Sequence, residues 1–141
     1  RVFVIDSLST GPEMQLIIEK LREYIKKGYD FDEICQKIME YKKHTGLIFM
    51  LESMKNLANN GRVKPAVAKI TGMLGIRLVG NAGNNGTLTP TDKCRGEVKT
   101  IDTLYKNMLN DKYTGGKVII SHTHNENAAS VLEGKIKSKE D

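Results

Sequence analysis

Along this chain, stretches whose apolar residues recur every three or four positions alternate with apolar runs too short to be helices, and that alternation leaves few folds open. Met14, Ile17, Ile18, Leu21 and Ile25 stand at i, i+3, i+4, i+7 and i+11, which gives a helix one apolar face. Pro12 suits the first turn of that helix, Glu13 and Glu19 precede Lys26-Lys27 as the helix dipole favours, and Gly28 ends it. Asp30 with Glu33 has the form of a capping box for a second helix, which carries Phe31, Ile34, Cys35, Ile38 and Met39 on one face and runs to about His44.

The short runs read as strands. Residues 2–5 are apolar and are stopped by Asp6-Ser7 and the turn signal Ser9-Thr10-Gly11-Pro12. Residues 46–51 form a second run, after which Ser53 can cap a brief helix ending at Asn59-Asn60-Gly61. Pro65 opens a further helical stretch to about Leu74. Residues 76–79 and 87–90 flank an Asn- and Gly-rich segment able to supply positive φ, so they predict an antiparallel hairpin, with Pro90 at an edge or a strand end. Val98, Ile101, Leu104, Tyr105 and Met108 make another helical face, and Gly115-Gly116 break the chain. Residues 117–121 read as a strand leading through His122-Thr123-His124-Asn125 into a helix with Ala128, Val131 and Leu132. The expected class is mixed α/β with helices dominating, without repeats or low-complexity tracts.

With 141 residues, 39% of them hydrophobic and 28% charged, the chain can bury one sizeable core. No apolar run is long enough to span a membrane. The opening Arg1-Val2-Phe3-Val4-Ile5 begins in what reads as mid-strand and without Met, so further residues are expected before Arg1. Cys35 and Cys94 stand far apart with no metal-ligand spacing, which predicts two unpaired thiols in a reducing compartment, the cytoplasm. The net charge of +5 is spread as pairs such as Lys26-Lys27 and Lys42-Lys43 rather than gathered into one stripe, which argues against a nucleic-acid footprint.

Individual motifs leave alternatives open. Ile5-Asp6-Ser7 followed by Gly11 places hydroxyls and backbone N–H groups where a strand feeds a helix N-terminus; taken alone these residues read first as ordinary capping and only second as an anion site. His122-Thr123-His124-Asn125-Glu126 resembles the start of a metallohydrolase motif, but only His44 lies elsewhere, so a closed set of zinc nitrogens cannot be assembled and no metal is expected. Asn60-Gly61-Arg62-Val63 sets a guanidinium directly after a helix stop, suited to a carboxylate, a phosphate or a surface ion pair. The Gly-rich residues 80–86 fit no phosphate-loop pattern and read as a turn.

Taken in order, Val-Ile-Asp-Ser at 4–7, Tyr-Lys-Lys-His-Thr at 41–45, Phe-Met-Leu-Glu-Ser-Met-Lys-Asn-Leu at 49–57, Asn-Gly-Arg-Val at 60–63 and Lys-Cys-Arg-Gly at 93–96 resemble the DegV family through nearly the whole chain. The resemblance implies a two-domain α/β fold. Residues 1–28 would be the strand and helix of an N-terminal domain that binds a lipid head, and residues 29–141 an incomplete C-terminal domain with a mixed or antiparallel sheet. It also implies a long-chain fatty acid held between the domains, with Ser7, Thr10, Gly11 and Arg62 as lipid-binding residues. Arg95 and His122 would face a partner fatty-acid kinase, to which the protein presents substrate without catalysing the reaction itself and without a cofactor. The family's earlier Thr-Ser-x-Pro-Ser segment and its late His-x-Gly-Pro-Gly segment are absent, so this chain carries part of such a site. Leu47, Phe49, Leu51, Leu57, Ile70 and Leu74, with Met50, Met54 and Met73, are the expected core or pocket residues. The competing readings are a metal-dependent small-molecule hydrolase using His122 and His124, and a basic nucleic-acid-binding module.

Overall fold

The structure, a computed structural model, describes residues 1–61, 75–83 and 87–138. They form two compact units, Arg1–Leu47 with Lys117–Ser121, and Ile48–Gly116 with His122–Asp141.

The first unit is built on two helices, α1 (Pro12–Lys26) and α2 (Phe31–Lys42). Pro12 occupies the first turn of α1, as its fixed φ and missing N–H allow. The helix ends in a Schellman arrangement. Gly28, at φ 75°, donates to Ile25 O, and Tyr29 N donates to Tyr24 O, which satisfies carbonyls the helix leaves open. Two residues later the capping box forms as its spacing predicts: Glu33 N donates to Asp30 Oδ1 at 2.9 Å and Asp30 N to Glu33 Oε2 at 3.4 Å. The helices pack on one another, with Ile17 and Ile38 their buried aliphatic residues. The first unit runs unbroken from Arg1 to Leu47 before Lys117–Ser121 rejoin it.

Both strands expected in this unit, residues 2–5 and 117–121, are irregular. A strand exists only through its ladder, and neither run is paired among the described residues; Val2 and Val4 are 90% and 82% exposed.

In the second unit, β1 (Ile48–Leu51), β2 (Ile76–Ala82) and β3 (Leu88–Arg95) make an antiparallel sheet in the order β1-β2-β3. The hairpin is longer than its apolar runs suggested, and Gly83 N closes it on Thr87 O at 2.7 Å. Leu78 and Val79, adjacent on the central strand and therefore pointing to opposite faces, are both fully buried. Between Val79 and Gly80 the register slips: Val79 opposes Asp92 while Gly80 opposes Pro90, leaving Thr91 as the extra residue of a bulge. Pro90 thus sits on an edge strand at the irregularity that tolerates its missing N–H.

A short helix, α3 (Lys55–Asn59), follows β1, and Ser53 Oγ accepts from Lys55 N at 3.3 Å at its start. Helix α4 (Glu97–Asn110) packs on all three strands and on α5 (Glu126–Lys137), burying Thr100, Ile101, Ala128 and Ile136. Arg77 ties these elements together: it donates to Glu52 Oε1 at 2.8 Å and lies 3.5 Å from Glu97 Oε2, while Asn127 donates to Glu97 Oε1 at 3.0 Å. Met54 is fully buried and Leu57 half-buried; Ile70, Met73, Leu74 and the helix expected from Pro65 lie outside the described residues. Cys35 and Cys94 are free thiols; Cys94 is buried with Sγ 3.3 Å from Thr103 Oγ1, whereas Cys35 is half-buried on α2.

Candidate functional site

The segment from Asp6 to Gly11 turns the chain into α1 through its own polar side chains. Leu8 N donates to Asp6 Oδ1 at 3.2 Å, and Ser9 N donates to Ser7 Oγ at 3.4 Å. Between these bonds Leu8 adopts φ 51°, a left-handed conformation that costs a residue with a Cβ about 1 kcal/mol. Ser7 is half-buried, and its hydroxyl makes contacts only with Ser9 among the described residues. The Ser9 hydroxyl is buried without a hydrogen-bond partner there. Thr10 is exposed, and Gly11 is the N-cap of α1, at φ 57°.

A glycine cap supplies no side-chain oxygen, so none caps the first turn of α1. The helix's first backbone bond is Gln15 N to Gly11 O at 3.1 Å, and Pro12 has no N–H to offer. The peptide donors of Glu13 and Met14 thus stand at the positive end of the helix dipole, directly after the segment that carries the Ser7, Ser9 and Thr10 hydroxyls. Such a set recognises a carboxylate or phosphate. It contains no nucleophile paired with a base. Two bonds reach this segment from the end of α2: Lys42 Nζ donates to Asp6 O, and Thr45 Oγ1 donates to Glu13 Oε1 at 2.8 Å.

Sequence reasoning named Ser7, Thr10 and Gly11, and the structure brings these three into one loop. It passed over Ser9 as punctuation, and it quoted Lys42 and Thr45 in a motif without a role. Arg62 lies outside the described residues; the stop before it is present, with Gly61 at φ 68° donating to Ala58 O at 3.0 Å.

Arg95 and His122 belong to the second unit. Arg95 is exposed at the end of β3, opposite Ile76. His122 is exposed, and its Nδ1 accepts from Asn125 N at 3.4 Å where the chain leads into α5. Among the described residues no three His, Cys, Asp or Glu side chains gather as a metal site. A cleft of about 410 Å³ in this unit is lined by Tyr105, Met108, Leu109, Tyr113, Thr114, Gly115 and Ile136, none of which the sequence marked as a site.

A family model described as an uncharacterised protein family, DegV, matches residues 1–141. The chain belongs to the DegV family. A DegV domain-containing protein of Streptococcus pyogenes serotype M1 is 42% identical over 137 residues, 97% of this chain and 49% of that protein. Among solved structures, a DegV family protein from Eubacterium eligens loaded with heptadecanoic acid superposes with a TM-score of 0.94 at 42% identity, over 98% of this chain and 50% of that one. The fatty acid kinase (Fak) B3 protein of Streptococcus pneumoniae, loaded with linoleic acid, gives a TM-score of 0.95 at 35% identity, over 99% of this chain and 50% of that one. The chain thus spans about half the length of the DegV relatives it matches.

Proposed function

We propose that this chain carries the head-group end of a fatty-acid site, with Ser7 and Thr10, the backbone at Gly11 and the first turn of α1 receiving the carboxylate. One observation carries the reading: a loop of hydroxyls, one of them buried without a hydrogen-bond partner among the described residues, leads into a helix N-terminus whose glycine cap offers no side chain. DegV proteins of similar structure, loaded with heptadecanoic or linoleic acid, supply the class of ligand.

The energetics suit that division of labour. Each buried methylene contributes about 0.8 kcal/mol, so a long tail alone supplies ample affinity. The carboxylate opposes burial unless it is hydrogen-bonded, and the hydroxyls and helix dipole offset its desolvation and fix its orientation. Arg62 is a further lipid-binding residue in this reading. Arg95 and His122 face a partner that acts on the presented carboxylate, a fatty-acid kinase, so the protein binds and presents substrate rather than catalysing the reaction. Two free thiols suit the cytoplasm, and no helix among the described residues is long and apolar enough to cross a membrane.

The test is mass spectrometry of the full-length protein, native and then denatured, with the Ser7→Ala variant beside it. One acyl chain released per protein is expected. In Ser7→Ala the loss of one charge-assisted bond lowers affinity for added fatty acid by about 1.5–3 kcal/mol at unchanged stability. A protein that carries no acyl chain and binds none when it is added removes the function; a stable Ser7→Ala with parental affinity removes Ser7 from the site.

A further inference from the structure

We infer that Lys42 and Thr45, at the end of α2, are positioning residues that set the shape of the Ser7 loop and hold its anion-binding groups open; the inference rests on the head-group reading above. The loop is poorly held by itself. Its internal bonds, Leu8 to Asp6 and Ser9 to Ser7, each span two residues, and they enclose a left-handed leucine and a buried hydroxyl without a partner. Both features are unfavourable in an isolated loop and persist only where surrounding structure imposes them.

The surrounding structure comes from one turn of chain. Lys42 Nζ holds the carbonyl of Asp6, directly before Ser7, and Thr45 Oγ1 holds the carboxylate of Glu13, directly after Pro12. These two points bracket the loop at its two ends. The turn that carries them is itself fixed: Thr45 N donates to Lys42 O at 3.3 Å, and His44 N to Tyr41 O at 2.9 Å.

The bond to Glu13 has a second consequence. Glu13 is only 8% exposed and stands in the first turn of α1, where a free carboxylate folds back onto the helix's own unpaired N–H groups. One of its oxygens, Oε1, lies 2.8 Å from Thr45 Oγ1, a hydroxyl whose one proton also has Lys42 O within reach at 3.0 Å. The bond draws that oxygen toward the end of α2 and ties the first turn of α1 to it. Truncating Thr45 weakens the site by loosening the loop.

The experiment measures affinity of the full-length protein for tetradecanoic acid and for tetradecan-1-ol, which keeps the tail and lacks the charge, together with thermal midpoints. Thr45→Val and Lys42→Met are each expected to weaken binding of the acid by about three- to tenfold, the worth of one hydrogen bond, and to leave the alcohol unchanged. Thr45→Ser and Lys42→Arg, which keep the donors, restore the acid. Equal losses for acid and alcohol, or none for either, overturn the inference, since a merely structural role does not distinguish the heads. Ser7→Ala separates the two levels. If it weakens the acid while the α2 variants do not, the bracket alone falls; if it too has no effect, the head-group reading falls with it.

Discussion

Gly80 lies where β2 comes closest to its neighbours, and replacing it with alanine tests the bulge directly. A Cβ built there would stand 2.3 Å from Thr89 O, 2.9 Å from Pro90 Cα and 2.6 Å from Phe49 Cζ. Non-bonded carbon contacts settle at about 3.5–4.0 Å, so the two contacts on β3 require a displacement on the order of 1 Å. The phenyl ring of Phe49 can turn away, but Thr89 O and Pro90 Cα are backbone, held in the ladder opposite Asn81 and Gly80 just before the Thr91 bulge. Overpacking of a buried site costs about 1–3 kcal/mol, and a clash with backbone on a central strand belongs at the upper end, about 3 kcal/mol. For domains of about 150–250 residues each kcal/mol lowers the unfolding midpoint by roughly 2–4 °C, so Gly80→Ala is expected to lose about 6–12 °C. Thermal unfolding followed by circular dichroism measures this, and Phe49→Leu in the Gly80→Ala background isolates the ring. A midpoint shift worth less than about 0.5 kcal/mol, or full rescue by Phe49→Leu, would refute the close backbone approach.

Two further outcomes follow from the helices. Asp30→Ala removes the acceptor of Glu33 N at the start of α2 and is expected to destabilise by about 1 kcal/mol, read from the denaturant midpoint, while Asp30→Asn keeps most of the cap. Glu23 is held from its ordinary 4.5 down to about 2, first by its bond to Lys20 and then by that to Lys27. A carboxyl whose folded value is lowered stabilises the fold above about pH 4.5 and loses that contribution as the pH falls toward 2, though solvent screening of this exposed group keeps the share small. Carbon-13 NMR titration should place Glu23 near 2 and show Lys20→Gln raising it more than Lys27→Gln; an unshifted carboxyl would show that the ion pairs do not persist in solution.

What the sequence made legible is what short-range chemistry decides. The helical period of α1, the Asp30–Glu33 box and the Gly28 stop act within a few residues, and each appears where it was expected; of the apolar face, Ile17 is buried while Met14, Ile18 and Ile25 are exposed. The strands at 2–5 and 117–121 depend on partners elsewhere in the chain, and an apolar run carries no information about whether a ladder forms beside it. The bulge at Thr91 is of the same kind: Pro90 hinted at an edge, but only pairing with Gly80 explains why a residue is skipped. Within the candidate site, Ser7, Thr10 and Gly11 are contiguous and could be read together. Lys42 reaches Asp6 across 36 positions and Thr45 reaches Glu13 across 32, and no periodicity reports such contacts. The Tyr-Lys-Lys-His-Thr motif marked the place without giving the reason.

The two thiols differ in what their reactivity reports. Cys35 rides half-buried on α2 in one compact unit, and Cys94 is sealed beneath the sheet edge of the other against Thr103. A thiol-reactive reagent modifies a buried cysteine only when its surroundings open, so labelling of Cys94 follows the breathing of the sheet and α4, while half-buried Cys35 reacts without such opening. The second unit thus records its own opening on one sulfur, and the other sulfur supplies the reference rate against which that opening is read.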